Sequence, residues 1–183
     1  MLMCMVIAAL LSSCEKDPEL VNRSINTDAL KSFDASFIVY DHTEGHAPIM
    51  EGGCQKIWKG LGESARLGMF SVEINLICDL DNLLYRDLTG SFKAEDGSTL
   101  HFQIAEGKYL CNEGTDSRMF PYSFNDLAVI SGGTGRFAGA TGHFYPNAKI
   151  HNEELPNWFA KFSCLGDLKL KSESQQEEEM VAR

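Results

Sequence analysis

The chain has no apolar stretch long enough to cross a bilayer as a helix. Its longest run, Met1 to Leu11, has eleven residues. At about 1.5 Å per residue that run reaches roughly 16 Å, against a hydrocarbon core of about 30 Å. Catalytic signatures are missing as well. There is no CxxC and no close Cys/His grouping, which argues against a zinc site. No G-x-S-x-G nucleophile elbow and no Cys/His pair at suggestive spacing occur. Positive charge is scarce, with 16 Lys and Arg against 26 Asp and Glu and a formal net charge of −10. Such a surface repels phosphate backbones, so nucleic acid is not expected as a partner. From residue 32 on, no helical period of ten or more residues appears.

The texture that is present is β. Phe33, Ala35, Phe37 and Val39 alternate with polar neighbours, and Phe70, Val72, Ile74, Leu76 and Cys78 form the cleanest period-2 run. Gln55 to Ala65 reads as a glycine-interrupted strand. Leu88–Ala94 and Thr99–Ala105 read as a hairpin around Glu95-Asp96-Gly97-Ser98, where the Asp-Gly step supplies positive φ. Phe120 to Phe124 contains Pro121, which confines it to an edge or a strand start. Leu127–Ile130, His143–Ile150 (broken at Pro146-Asn147) and Trp158–Leu170 complete the set. The expected fold is all-β: a single antiparallel β-barrel of about eight strands, calycin-like, with a two-sheet sandwich as the alternative.

Ser131 to Phe144, SGGTGRFAGATGHF, holds five glycines. Gly132, Gly133 and Gly135 are expected to make a tight turn, with Phe137 held inward on a new strand. Gly139 and Gly142 are expected to mark a bulge or a close backbone approach. Arg136 is expected to pair with a carboxylate or cap turn carbonyls. A P-loop needs GK[ST] opening a helix, and Phe137 onward does not read as helix.

Cysteine usage leaves alternatives. Of six cysteines, Cys54, Cys78, Cys111 and Cys164 lie in the expected domain. Four thiols permit two disulfides in three connectivities, or free thiols buried on strand faces.

Candidate chemistry is thin. Asp41-His42-Thr43-Glu44-Gly45-His46 gathers two His and two carboxylates, but no third His clusters with them, and a solvated loop is expected rather than a metal site. Glu73 and Asn75 share one strand face, and His101 sits between Thr99 and Gln103 on another. With His143 and Tyr145 they form the candidate pocket, and His101 with Glu73 is a possible acid/base pair, if the polar faces turn inward at one barrel end. Solvent-facing positions are the simpler expectation. Neither cofactor nor metal is implied, and Trp58 and Trp158 read as core or rim aromatics.

Two resemblances add to this. Met1 to Cys14, MLMCMVIAALLSSC, ends in small residues and a cysteine and is followed at once by Glu15-Lys16-Asp17. It resembles a bacterial lipoprotein signal peptide with its lipobox. The resemblance implies a signal over 1–13 and lipidation at Cys14. It also implies attachment to a membrane of the bacterial cell envelope, at its outer-membrane, periplasmic or surface face. An ordinary signal peptide or a buried first strand is the alternative. The polar, Pro18-containing stretch that follows reads as a flexible tether, making 14–30 the lipidated cysteine and tether, 31–171 the barrel domain and 172–183 an acidic disordered tail.

The second resemblance is carried by GGTGRFAGATG, which is similar to the recurring glycine motif of the allene oxide cyclase and dirigent type of β-barrel and of small bacterial exported proteins with that barrel. Gly60-Leu61-Gly62-Glu63-Ser64-Ala65-Arg66-Leu67-Gly68 and Gly90-Ser91-Phe92-Lys93-Ala94-Glu95-Asp96-Gly97-Ser98-Thr99-Leu100 resemble further patterns of the bacterial proteins, with Arg66 where His is common. The motif implies a fold and builds turns. It transfers no catalytic residue. The expected function is a membrane-anchored β-barrel binding or structural module, taking a small apolar ligand or a protein partner. The alternative is an isomerase or cyclase acting on a small apolar substrate inside the barrel.

Overall fold

The computed structural model describes residues 31–43, 49–50, 53–79, 81–151 and 158–171. The signal segment, Cys14, the tether, Glu44 to His46 and the acidic tail lie outside these described residues.

The alternating runs become strands that pair with their sequence neighbours. The long ones are β1 (Lys31–Asp41), β3 (Gly53–Ser64), β4 (Gly68–Asp79), β5 (Leu84–Ala94) and β12 (Phe159–Lys169). A two-residue β2 (Ile49–Met50) adds to the start of β3. The other three staves are interrupted. β6 (Thr99–Lys108) continues as β7 (Leu110–Cys111), β8 (Tyr122–Phe124) as β9 (Ala128–Gly133), and β10 (Thr141–Tyr145) as β11 (Ala148–His151). Pairing shows that these segments are collinear. β12 carries β10 along Leu165–Lys169 and β11 along Phe159–Lys161, so the Pro146-Asn147 break interrupts one stave without ending it.

All pairings are antiparallel, and the last strand returns to the first. β12 runs alongside β1 from Lys31 opposite Leu168 to Tyr40 opposite Phe159. The result is a closed all-β barrel of eight staves rather than a two-sheet sandwich. Closure removes the two long unpaired edges that such a sheet would otherwise present.

Alternation puts one face of every stave inside. The middle of the barrel is filled by phenylalanine rings. Phe92, with no solvent exposure, lies within 4.7–6.2 Å of the rings of Phe33, Phe37, Phe70, Phe102 and Phe144. Phe37 stacks flat on Phe162 at 4.4 Å. An eight-stranded barrel is just wide enough for its own side chains to fill, and here large aromatics do so.

The glycine motif closes one end. Gly132 and Gly133 remain in β9, and the register skips Ser131 there, so the bulge falls on β9, while Gly142 makes a close backbone approach to Asp167. Phe137 is buried as expected, but it comes from a single 3-10 turn, Gly135–Phe137, instead of a new strand. Arg136 fastens this plug. Its Nη2 donates to the Leu67 carbonyl at 2.8 Å, its Nε lies 3.3 Å from the Asp96 carboxylate, and its guanidinium sits 4.8 Å from the centre of the Phe137 ring. The hairpin that supplies Asp96 has positive φ at Gly97 alone, because the Asp96 side chain accepts from the Ser98 amide and shapes the turn.

Candidate functional site

The end of the barrel opposite the glycine plug carries the polar groups that face inward. β1 ends there at Asp41, β3 begins with Cys54, Lys56 and Trp58 on its inner face, Cys78 is the last inward residue of β4, and β5 begins near Tyr85. Lys56 points inward because it keeps step with Cys54 and Trp58, two residues away on either side. Its charge is met by the neighbouring stave: Lys56 Nζ donates to Asp41 Oδ2 at 2.8 Å. The Thr43 amide donates to Asp41 Oδ1 at 2.8 Å, and the Ile57 amide donates to Thr43 Oγ1 at 3.0 Å.

Burial alone would raise the Asp41 carboxyl, but the hydrogen bonds from Lys56 and Thr43 outweigh it and hold the pKa below the usual carboxylate value. Burial likewise opposes the Lys56 ammonium, and the Asp41 carboxylate outweighs it, so Lys56 titrates above its usual value. The signs are opposite on the two sides of neutrality. The stability contributed through Asp41 is present above its unfolded value and is lost as pH falls through the depressed folded one. That contributed through Lys56 is present below its unfolded value and is lost as pH rises through the elevated folded one.

Deeper in the same end, Cys78 Sγ and Tyr109 Oη are hydrogen-bonded at 3.1 Å, and the Tyr85 hydroxyl donates to Asp126 Oδ2 at 2.8 Å. Burial pushes the Cys78 thiol up to about 11. Burial also raises both phenols, Tyr109 further because of Cys78 and Tyr85 further because of Asp126. These three groups keep their protons at neutral pH, and Asp41 is committed to Lys56. Trp58 packs on Trp158 with ring centres 4.9 Å apart, and among the described residues its indole nitrogen is the buried side-chain donor without a partner. These contacts tie the staves together at the rim. Among the described residues they do not assemble a base, a nucleophile and a stabilising donor around one reacting atom.

The candidate pocket residues are elsewhere. Glu73, His101, His143 and Tyr145 are exposed on the outer face, and Asn75 is half-buried there. Their inward-facing neighbours are Val72, Ile74, Leu76, Leu100, Phe102 and Phe144. Glu73 and His101 both stand beside Ser91, one on each side. Two strand spacings therefore separate them, about 9–10 Å, which is too far for direct proton transfer. Glu73 instead meets Lys59 at 3.0 Å, a bond that lowers its pKa, and His143 Nε2 lies 3.8 Å from Asp167. The reason is the pleat: an alternating strand in a closed barrel sends its apolar set inward, and these polar side chains occupy the other set.

Sequence reasoning missed the Asp41–Lys56, Cys78–Tyr109 and Tyr85–Asp126 contacts. Each joins residues from different staves, so local pattern alone could not bring them together. One usable signal existed, a lysine in step with Trp58 on an otherwise inward face. Outside the barrel, Ile38, Tyr40, Leu61 and Met69 border a shallow open groove of about 770 Å³ between Lys59 and Lys161. Among the described residues no three His, Cys, Asp or Glu side chains gather as metal ligands.

No protein-family model matches the chain. No curated protein matches it either. Among solved structures, a pterocarpan synthase dirigent protein is similar over 89% of this chain and 100% of its own, at 14% identity and a TM-score of 0.46.

Proposed function

We propose that this chain is a lipid-anchored protein of the bacterial cell envelope, held by Cys14, and that its barrel is a structural or binding module working through its rim and outer wall. The observation that carries the second half is the filled interior: Phe33, Phe37, Phe70, Phe92, Phe102, Phe144 and Phe162 occupy the space a bound small molecule would need. A reaction confined inside the barrel draws no support from an interior packed in this way. The first half rests on the Leu-Ser-Ser-Cys sequence ending the apolar run and the polar residues that follow it. Each acyl CH₂ buried contributes about 0.8 kcal/mol, so the two or three chains such proteins typically carry hold a domain firmly.

The test is metabolic labelling of the full chain in a bacterial host with a clickable palmitate analogue. Wild type takes up the label and partitions with membranes. Cys14→Ser loses the label and is released. An unlabelled wild type, or label retained by the variant, overturns the anchor.

A further inference from the structure

We infer that Cys54 and Cys78 are a disulfide-forming pair, oxidised across the β3–β4 ladder at the barrel rim. Of the three connectivities that four thiols allow, the strand register favours bonding between these two. Cys54 stands directly opposite Cys78, the last pair of the longest ladder in the barrel. Directly opposed residues in antiparallel strands have Cα atoms about 4.5–5.5 Å apart, within the roughly 4.4–6.8 Å that a disulfide spans. Both side chains lie on the same inner face, in step with Lys56 and Leu76, the next opposed pair on that face. The other two cysteines have no such partner. Cys164 is buried opposite Ala35, and Cys111 is exposed opposite Tyr122.

The structure shows Cys54, Cys78, Cys111 and Cys164 without a bond between any two of them. Oxidation needs an acceptor, and the one implied is a disulfide, such as oxidised glutathione or a dithiol-disulfide oxidase. Cys54 is half-buried at the rim, whereas Cys78 lies inside against Tyr109. The sequence of attack follows from that difference. The Cys54 thiolate attacks one sulfur of the acceptor, forming a mixed disulfide and releasing one thiol. The Cys78 sulfur then attacks Cys54, loses its proton, and releases the second thiol. Two S–H bonds and one S–S bond are exchanged for one new S–S bond and two acceptor thiols, so atoms and electrons balance. Closure takes Cys78 away from its present hydrogen bond with Tyr109 and ties the end of β4 covalently to the start of β3. That is the same rim the Asp41–Lys56 pair closes from β1.

The inference concerns the barrel alone and does not require Cys14 to be acylated, so its failure and that of the anchor are separable. The experiment treats the reduced full chain with oxidised glutathione, alkylates remaining thiols after denaturation, and maps peptides by mass spectrometry. The expected result is a peptide linking Cys54 to Cys78, lighter by two hydrogen atoms, with Cys111 and Cys164 alkylated. The oxidised protein should melt about 5–10 °C above the reduced one. Cys54→Ser and Cys111→Ser give a second reading: the first should abolish that shift in melting and the second keep it. A linkage of Cys54 or Cys78 to any other cysteine, or alkylation of both Cys54 and Cys78 after oxidation, overturns the inference.

Discussion

Replacing Phe92 with alanine is expected to destabilise the barrel by about 3–5 kcal/mol, the range for deleting a fully buried aromatic ring. Phe92 belongs to β5 and is completely shielded from solvent. Its ring is the hub of the core. It stacks on Phe102 at 4.7 Å and meets Phe70 edge-on at 4.9 Å and Phe37 at 5.4 Å. Those partners belong to β6, β4 and β1, so removing one ring loosens several staves together. The closed wall cannot collapse freely onto the void, because every stave is hydrogen-bonded on both sides. The expected loss is therefore at the upper part of the range for large-to-small substitutions. Equilibrium unfolding in urea measures it, through a lower midpoint at unchanged slope. A loss below about 1 kcal/mol would mean that the space around Phe92 is not packed as described.

The second large effect concerns Gly142. Its φ is +144°, which L side chains rarely adopt, and a Cβ there would lie 2.1 Å from the Asp167 carbonyl oxygen. Asp167 is on β12, one stave across and near the seam with β1. The obstacle is backbone, which cannot swing aside as a side chain can. Gly142→Ala is expected to cost about 3–5 kcal/mol, combining backbone strain with overpacking. Gly97→Ala is the matched control. Gly97 also has positive φ, +84°, but nothing lies within 4 Å of its added Cβ. It should cost only about 1–2 kcal/mol, the conformational term alone. Thermal unfolding of the two variants side by side separates close approach from backbone conformation. Equal costs would remove Gly142 from the role given to it here.

Much of the wall was legible in the sequence because its signal is local. Phe70, Val72, Ile74, Leu76 and Cys78 could be read as one inward face, and all five are buried. The hairpin around Glu95 to Ser98 and the break at Pro146-Asn147 were equally readable. The start of β5 was not. Leu84–Arg86 pairs with β4, but Asp87 has φ +53° and no partner there, and the register slips between Asn75 and Ile77, so the alternation that marks a strand is lost. The closing seam was inferred only from strand number, since nothing near Phe33 specifies Phe162 or Gly166 as neighbours across the fold. The rim was the least legible part. Cys54 and Cys78 are separated by a long hairpin, and they become opposite only once the register is fixed. The candidate pocket residues took the simpler of the two expectations and face outward. Glu73, Asn75, His101, His143 and Tyr145 are spaced as a polar face should be, and the apolar residues that alternate with them take the inside.

Whether the barrel is filled by its own rings is best settled by proton NOE spectroscopy of the full chain in solution, with the phenylalanine rings assigned. Ring-to-ring cross-peaks should connect Phe92 with Phe33, Phe37, Phe70, Phe102 and Phe144, and none should connect the Phe92 ring with water. Water cross-peaks to Phe92, or loss of the ring-to-ring set, would show an open interior and contradict a module that works from its surface.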